Sequence, residues 1–284
     1  MNIADVNYLS HSGFVVNFEG DVVIVDYYKR QFTNKWSIPL PKNPATYRSI
    51  TVLVSHGHQD HFNPKIFSWR KERSNIAYVI SADAKEKVDE ALKDLGKKGI
   101  DIDGKPNITF LERGEETTVN RHVIRAFGST DEGISFHIFS NNMSVFHAGD
   151  FNYWHWSDES SEDEVRIARE AFDKELDFIR NEICEIDIAF FPVDPRMGTD
   201  FFRGAVLFCK EMTPSWLIPM HFPDDFDMPP KLYDELATCT SFEEMHHSNE
   251  PVSFERDPSL DLIRDELEND GAAVFERIID TDKT

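Results

Sequence analysis

A four-layer α/β sandwich, two β-sheets packed face to face with helices outside (αββα), is the fold class the sequence predicts. Three observations predict it. Short, β-branched apolar runs dominate the first part of the chain, and helices accumulate only between later strands. One such run, Thr51-Val52-Leu53-Val54, reads as a buried strand and leads straight into His56, His58, Asp60 and His61. The clearest helix, Ser161 to Glu182, opens with the capping-box sequence Ser161-Glu162-Asp163-Glu164 and repeats apolar residues at three- and four-residue steps.

Taken in order, Val6 to Leu9, Phe14 to Phe18 and Val22 to Val25 read as strands. Gly20, between the last two, suggests a hairpin. Residues 29 to 49 carry prolines and aromatics without periodicity and read as a loop near the strand end. After the histidines, Pro64 to Arg73 suits a short helix and Ile76 to Ile80 a strand, and Ala82 to Leu95 suits a helix closed by Gly96. Ile108 to Leu111, His122 to Phe127, Ile134 to Phe139 and Met143 to Phe146 read as strands, the last pair joined by a tight turn at Asn141-Asn142. Beyond the long helix, Ile186 to Phe191 and Trp216 to Met220 read as strands flanking a helix around Gly204 to Met212. The expected division is one domain over residues 1–240 and an acidic extension over 241–284, packing on that domain or trailing from it, with a helix at Ser259 to Glu268.

The 284 residues carry 30 basic and 52 acidic side chains, a formal charge of −22. That balance argues against nucleic acid and against an anionic membrane surface as partners, since both reward basic patches. No apolar run approaches the roughly 20 residues that span a bilayer, and the N-terminus shows no secretory pattern. Cys184, Cys209 and Cys239 are widely spaced and read as free thiols of a reducing compartment, so the expected location is the cytoplasm. The expected partner is a small-molecule substrate, and nothing in the chain demands or forbids a homo-oligomer.

Three imidazoles and a carboxylate at one buried strand end are hard to explain as core or as a solvated surface. Neutral imidazole and carboxylate are preferred ligands of a divalent cation, zinc first, with manganese or iron as alternatives. The run His56-Gly57-His58-Gln59-Asp60-His61 resembles the His-x-His-x-Asp-His motif of the metallo-β-lactamase fold. The resemblance implies that His56 and His58 serve a first metal, and Asp60 and His61 a second. His147-Ala148-Gly149-Asp150 resembles the element whose carboxylate bridges the metals, which implicates Asp150. Pro219-Met220-His221 resembles the late strand-end histidine, which assigns His221 to the second metal. His11-Ser12-Gly13-Phe14, Asp26 and the HAGD element together look like the lactonase-related branch of the family, over roughly Ile3 to Pro223.

One ligand departs from that pattern. The family's third histidine on the first metal belongs after the strand at His122, and Gly128 stands at the expected place. His122, at the other end of the strand, reads as a surface residue. Asp131 is either a replacement ligand or a loop carboxylate capping the next turn. His11 and Asp26 are expected to support the ligands from behind, as Asp131 also would if it is no ligand. His155, Asp194 and Arg196 are candidate substrate contacts, with Arg196 either clamping an anion or bracing Asp194.

The resemblance implies a metal-dependent hydrolase holding one or two ions and using a metal-bound hydroxide on a small lactone or phosphorylated substrate, with Asp60 handling the proton. A small-molecule phosphodiesterase needs the same metals and a different pocket. A metal- or ligand-binding protein that has lost turnover with the third histidine is the alternative from another class.

Overall fold

The apolar runs pair, in a computed structural model of the chain, into two seven-stranded sheets. The structure describes residues 3–28, 47–98, 106–156, 158–223, 228–238, 240–243, 245 and 251–256. The first sheet holds β1 (Ile3–Ser10), β2 (Gly13–Phe18), β3 (Asp21–Val25), β4 (Ser49–Val54), β5 (Ala77–Ser81) and β6 (Asn107–Leu111). The second holds β7 (Glu116–Val119), β8 (His122–Gly128), β9 (Ile134–Ser140), β10 (Met143–His147), β11 (Ile188–Pro192), β12 (Trp216–Met220) and β13 (Ser241–Phe242). β14 (Val252–Glu255) returns to the first sheet and pairs antiparallel with β1.

Each sheet changes character part of the way across. β1, β2 and β3 form an antiparallel meander, whereas β3 to β6 run parallel. In the second sheet β7 to β10 are antiparallel and β10 to β13 parallel. Parallel strands need crossover helices, and here these are α1 (Lys65–Ser68), α2 (Lys85–Lys97), α3 (Glu162–Glu182), α4 (Arg203–Met212) and α5 (Pro230–Leu236).

Burial follows strand alternation. In β3, Val22 and Ile24 join a core with Phe67, Trp69 and Val88 beneath the helices, while Val23 and Val25 face the core between the sheets. A strand covered on both faces has no solvated side, which is why β3 and β4 read as continuous apolar runs. Phe172, Leu176 and Ile179 of α3 and Phe208 of α4 close the outer face of the second sheet. Ser161 caps α3 with the full reciprocal capping box.

Several expectations change. α2 runs through Gly96 to Lys97, because Gly96 keeps a helical backbone and is not the left-handed residue that ends helices. β7 is polar, part-exposed and at a sheet edge, so apolar patterning gave no signal for it. The extension beyond residue 240 supplies β13 and β14, one strand to each sheet. Its expected helix, Ser259 to Glu268, lies outside the described residues, as does most of the loop at 29–49. No helix among the described residues is long and apolar enough to cross a membrane.

His122 is not a surface residue. It is fully buried, its Nδ1 is 2.8 Å from Ser140 Oγ, and its ring lies 5.7 Å from Phe18. Burial pushes its pKa down to about 4. The unfolded chain, with a pKa near 6.5, therefore binds more protons than the folded one between those values. Stability present above about pH 6.5 is lost as pH falls toward 4, by about 2 kcal/mol from pH 7 to pH 5. His122→Gln is expected to remove that part of the slope, measured by urea unfolding at the two pH values.

Candidate metal centre

The candidate residues lie at strand ends along one rim of the sandwich. His56 to His61 follow β4, Asp150 follows β10, Asp194 follows β11, His221 follows β12, and His11 sits in the turn between β1 and β2. Two of these side chains, His11 (φ 57°) and His221 (φ 66°), stand on left-handed backbone, as does Asp26 (φ 44°) at the end of β3. Such conformations cost about 1–3 kcal/mol each for a non-glycine residue and persist only where the surroundings impose them. Here the His221 N–H donates to His11 O at 3.1 Å, and the Asp26 N–H to Leu53 O at 3.0 Å. These bonds join separate parts of the chain at the rim.

Asp150 stands at the centre. Its Oδ1 is 3.2 Å from His61 Nε2 and 3.3 Å from His221 Nε2, and its Oδ2 is 3.4 Å from His56 Nε2. Asp60 Oδ2 is 3.3 Å from His11 Nε2. Two compact sets result, His11–Asp60–His61–His221 and His56–His61–Asp150, each with its ligand atoms within 4.8 Å of one another.

The far side of each buried imidazole is tied down. His61 Nδ1 lies 2.8 Å from Asp26 Oδ2, and Asp26 also accepts from the Ser55 N–H and Oγ. His221 Nδ1 lies 3.0 Å from Asp194 Oδ2, and His56 Nδ1 is 3.0 Å from Ser55 Oγ. Hydrogen bonds of this kind fix ring orientation and leave Nε2 free to act as a ligand.

The residues fit a divalent cation on a direct test. His11 Nε2, His56 Nε2, His61 Nε2 and Asp150 Oδ1 are buried without a hydrogen-bond partner. Each such group costs about 1–3 kcal/mol if nothing satisfies it, and cations held by the two sets would satisfy all four. Charge points the same way. Burial alone would lower the His61 pKa, but the Asp150 and Asp26 carboxylates outweigh it and push it up to about 10. The two carboxylates flanking His61 thus favour positive charge at this place, which a cation would supply.

Other candidates are placed differently from expectation. His11 does not stand behind the candidate ligands; its Nε2 lies within 4.8 Å of donor atoms of Asp60, His61 and His221. Asp194 does not reach the cleft: it is fully buried, and its carboxylate holds His221 and the Arg196 guanidinium. His155 is also no cleft residue, being buried with Nδ1 2.8 Å from Tyr153 O and its ring stacked on Tyr153. The adjacent positions, Trp154 and Trp156, line the cleft instead. Arg196 braces Asp194 while remaining at the cleft, and Asp131 lines it with a pKa raised by burial and then by Asp150. His58 lies outside both compact sets, with Nε2 3.0 Å from Glu132 Oε2.

The space beside Gly128 is filled by the Glu175 carboxylate. A Cβ built there would lie 2.8 Å from the Glu175 carboxyl carbon, the far end of a flexible side chain, so a side chain at 128 would require that carboxylate to swing away. The Gly128 N–H donates to Glu175 Oε1 at 2.6 Å. Glu132 and Ser55 carried no signal in the sequence, because each acts through a contact made only on folding. The cleft over the site has a volume of about 450 Å³.

A family model described as the beta-lactamase superfamily domain matches residues 5–168, more than half of the 284 residues. No curated protein is similar enough in sequence to match. Among solved structures, the metallo hydrolase Igni18 from Ignicoccus hospitalis is 19% identical, with 90% of this chain and all of that one covered and a TM-score of 0.60. The metallo-beta-lactamase fold protein YhfI from Bacillus subtilis is 12% identical, covering 90% and 100% at a TM-score of 0.55. CmlA, a diiron β-hydroxylase from Streptomyces venezuelae, is 12% identical, covering 89% of this chain and 54% of that one at a TM-score of 0.58. At these identities the likeness is one of fold.

Proposed function

The chain belongs to the beta-lactamase superfamily, and from that premise we propose that it is a metal-dependent hydrolase of a small ester-like substrate. The observation that carries the reading is the set of buried, unpartnered imidazole nitrogens converging on Asp150. His11, His56, His61, His221, Asp60 and Asp150 are the residues that would hold the cation. An imidazole-rich set favours zinc, and iron or manganese suit the carboxylates. When bound, the cation supplies a lowered pKa for water and polarisation of the oxygen under attack.

Asp60 is the residue suited to proton transfer. It is part-exposed and lines the cleft, and its contact with His11 holds its carboxyl well below the usual range, so it is ionised at neutral pH. As water attacks the acyl carbon, Asp60 takes the water proton and returns it to the departing alkoxide. His11 and His221, whose rings lie 4.2 Å apart, hold this side of the cleft in register. Trp154 donates its indole N–H to Asp150 O at 2.8 Å and lines the cleft with Trp156, offering apolar surface to the substrate.

Asp60, Asp131 and Asp150 all line the cleft, and Arg196 is already paired with Asp194. That balance favours a neutral or singly charged lactone or ester, in keeping with the resemblance to the lactonase-related branch. A phosphodiester is the second choice, supported by the guanidinium of Arg196 at the cleft.

The test is protein purified without chelator, analysed for metal and assayed on lactones, carboxylic esters and phosphodiesters with added zinc or manganese. Hydrolysis lost on chelation and restored by metal is expected. Absence of bound metal after reconstitution would overturn the reading. Tight metal binding without turnover across the panel would establish a binding protein instead.

A further inference from the structure

His58 is the one histidine of the motif whose Nε2 does not face Asp150 or the neighbouring imidazoles, and the partner it does have is a carboxylate. We propose that Glu132 is the terminal carboxylate ligand of the half-site built on His56 and His58. That half-site then carries two imidazoles and a carboxylate, with Asp150 shared, where the family pattern has three imidazoles. The inference rests on the metal-site reading above and adds to it a ligand and a metal preference.

Geometry carries it. Glu132 Oε2 is 3.0 Å from His58 Nε2. With metal–ligand bonds of about 2.1 Å, neighbouring donors on one cation stand about 3 Å apart, and His61 and Asp150 show a similar 3.2 Å. His56, whose ring lies 4.7 Å from that of His58, keeps a fully buried Nε2 without a hydrogen bond, 3.4 Å from Asp150. The pair at the rim stands beside that buried nitrogen but outside its 4.8 Å donor set, so His58 and Glu132 would have to move inward to share an ion with it. The side chains of His58 and Glu132 are 42% and 53% exposed, which gives them room to close on a cation.

The backbone explains why Glu132 is there. Gly133 (φ 76°) presses the loop onto the end of β4 so closely that a Cβ at 133 would stand 2.1 Å from Ser55 O and 2.4 Å from His56 Cβ. The next N–H, of Ile134, donates to Ser55 O at 3.0 Å. Glu132 is therefore attached one residue from a rigid contact with the strand end that carries His56. The competing positions are weaker: Gly128 carries no side chain to offer a ligand, and Asp131 lines the cleft without pairing with His58.

Two imidazoles and a carboxylate are the donor set associated with Fe(II), and carboxylate ligands also suit manganese. The other half-site, with His11, His61, His221 and Asp60, is richer in nitrogen and more enclosed. The Glu132 half-site is thus the weaker for zinc and the first to empty.

The experiment is equilibrium dialysis of the full chain against Mn²⁺ or Zn²⁺, with metal per chain read by mass spectrometry and fold monitored by circular dichroism. Wild type is expected to take up two Mn²⁺ in separate steps. Glu132→Ala should weaken the weaker step at least tenfold and leave the tighter one unchanged, and Asp131→Ala should change neither. Glu132→His should shift the weaker step from Mn²⁺ toward Zn²⁺. Two steps within twofold of wild type in Glu132→Ala, or a single ion in wild type that the variant binds equally, would overturn the inference while leaving a metal-dependent enzyme in place. No metal uptake by wild type would overturn both.

Discussion

Asp150→Asn is expected to lower kcat/KM about 10³-fold or more and to empty the site of most of its metal, with the sandwich still folded. Three imidazole nitrogens lie within 3.4 Å of its two oxygens. An amide removes the negative charge and turns an N–H₂ donor toward at least one nitrogen that must itself act as a donor to the cation. Charge stabilisation of several kcal/mol by a bound cation, at about 1.4 kcal/mol for each tenfold in rate, sets the scale. Metal analysis beside steady-state kinetics checks it, with thermal unfolding to show that the fold survives. A variant within tenfold of wild type would show that Asp150 is not the shared ligand.

Gly133→Val is the substitution expected to cost most in stability. The left-handed backbone at 133 costs any side chain about 1–2 kcal/mol, and overpacking in a tight place adds about 1–3 kcal/mol. At 2.1 Å from a backbone oxygen the collision cannot be relieved by rotating a side chain. A loss of about 2–5 kcal/mol corresponds to a fall in Tm of roughly 5–15 °C for a chain of this size. Because the displaced atoms belong to Ser55 and His56, metal uptake should fall with it. Gly96→Ala is the control: it has a helical backbone and nothing within 4 Å of its Cβ, so it should stabilise the protein slightly. Equal Tm values for wild type and Gly133→Val would refute the close approach.

Local sequence carried much of the fold. Ser161 with Glu164 marked the start of α3, and Asn141-Asn142, both with positive φ, marked the turn between β9 and β10. These signals are short-range, since a cap or a two-residue turn is made by neighbours in the chain. β7, β13, β14 and α5 were not legible, because they are short or polar and depend on the edges they join. The fate of position 128 was equally hidden. A gap in a motif says that a ligand is missing, and only the tertiary structure shows the Glu175 carboxylate in that space, accepting from the Gly128 N–H.

By itself, the sequence determined that β4 ends in a run of imidazoles and a carboxylate, and that Asp150 and His221 follow apolar strands of their own. Covalent spacing suffices for that, since a buried strand must deliver whatever comes next to its end. Only the tertiary structure decided which of these groups face one another. It turned His11 into the set with His221 through two left-handed backbones, spent Asp194 on orienting His221, and set Glu132 beside His58. Side-chain direction at a strand end depends on backbone dihedrals and on contacts between segments distant in the chain, and residue spacing carries neither.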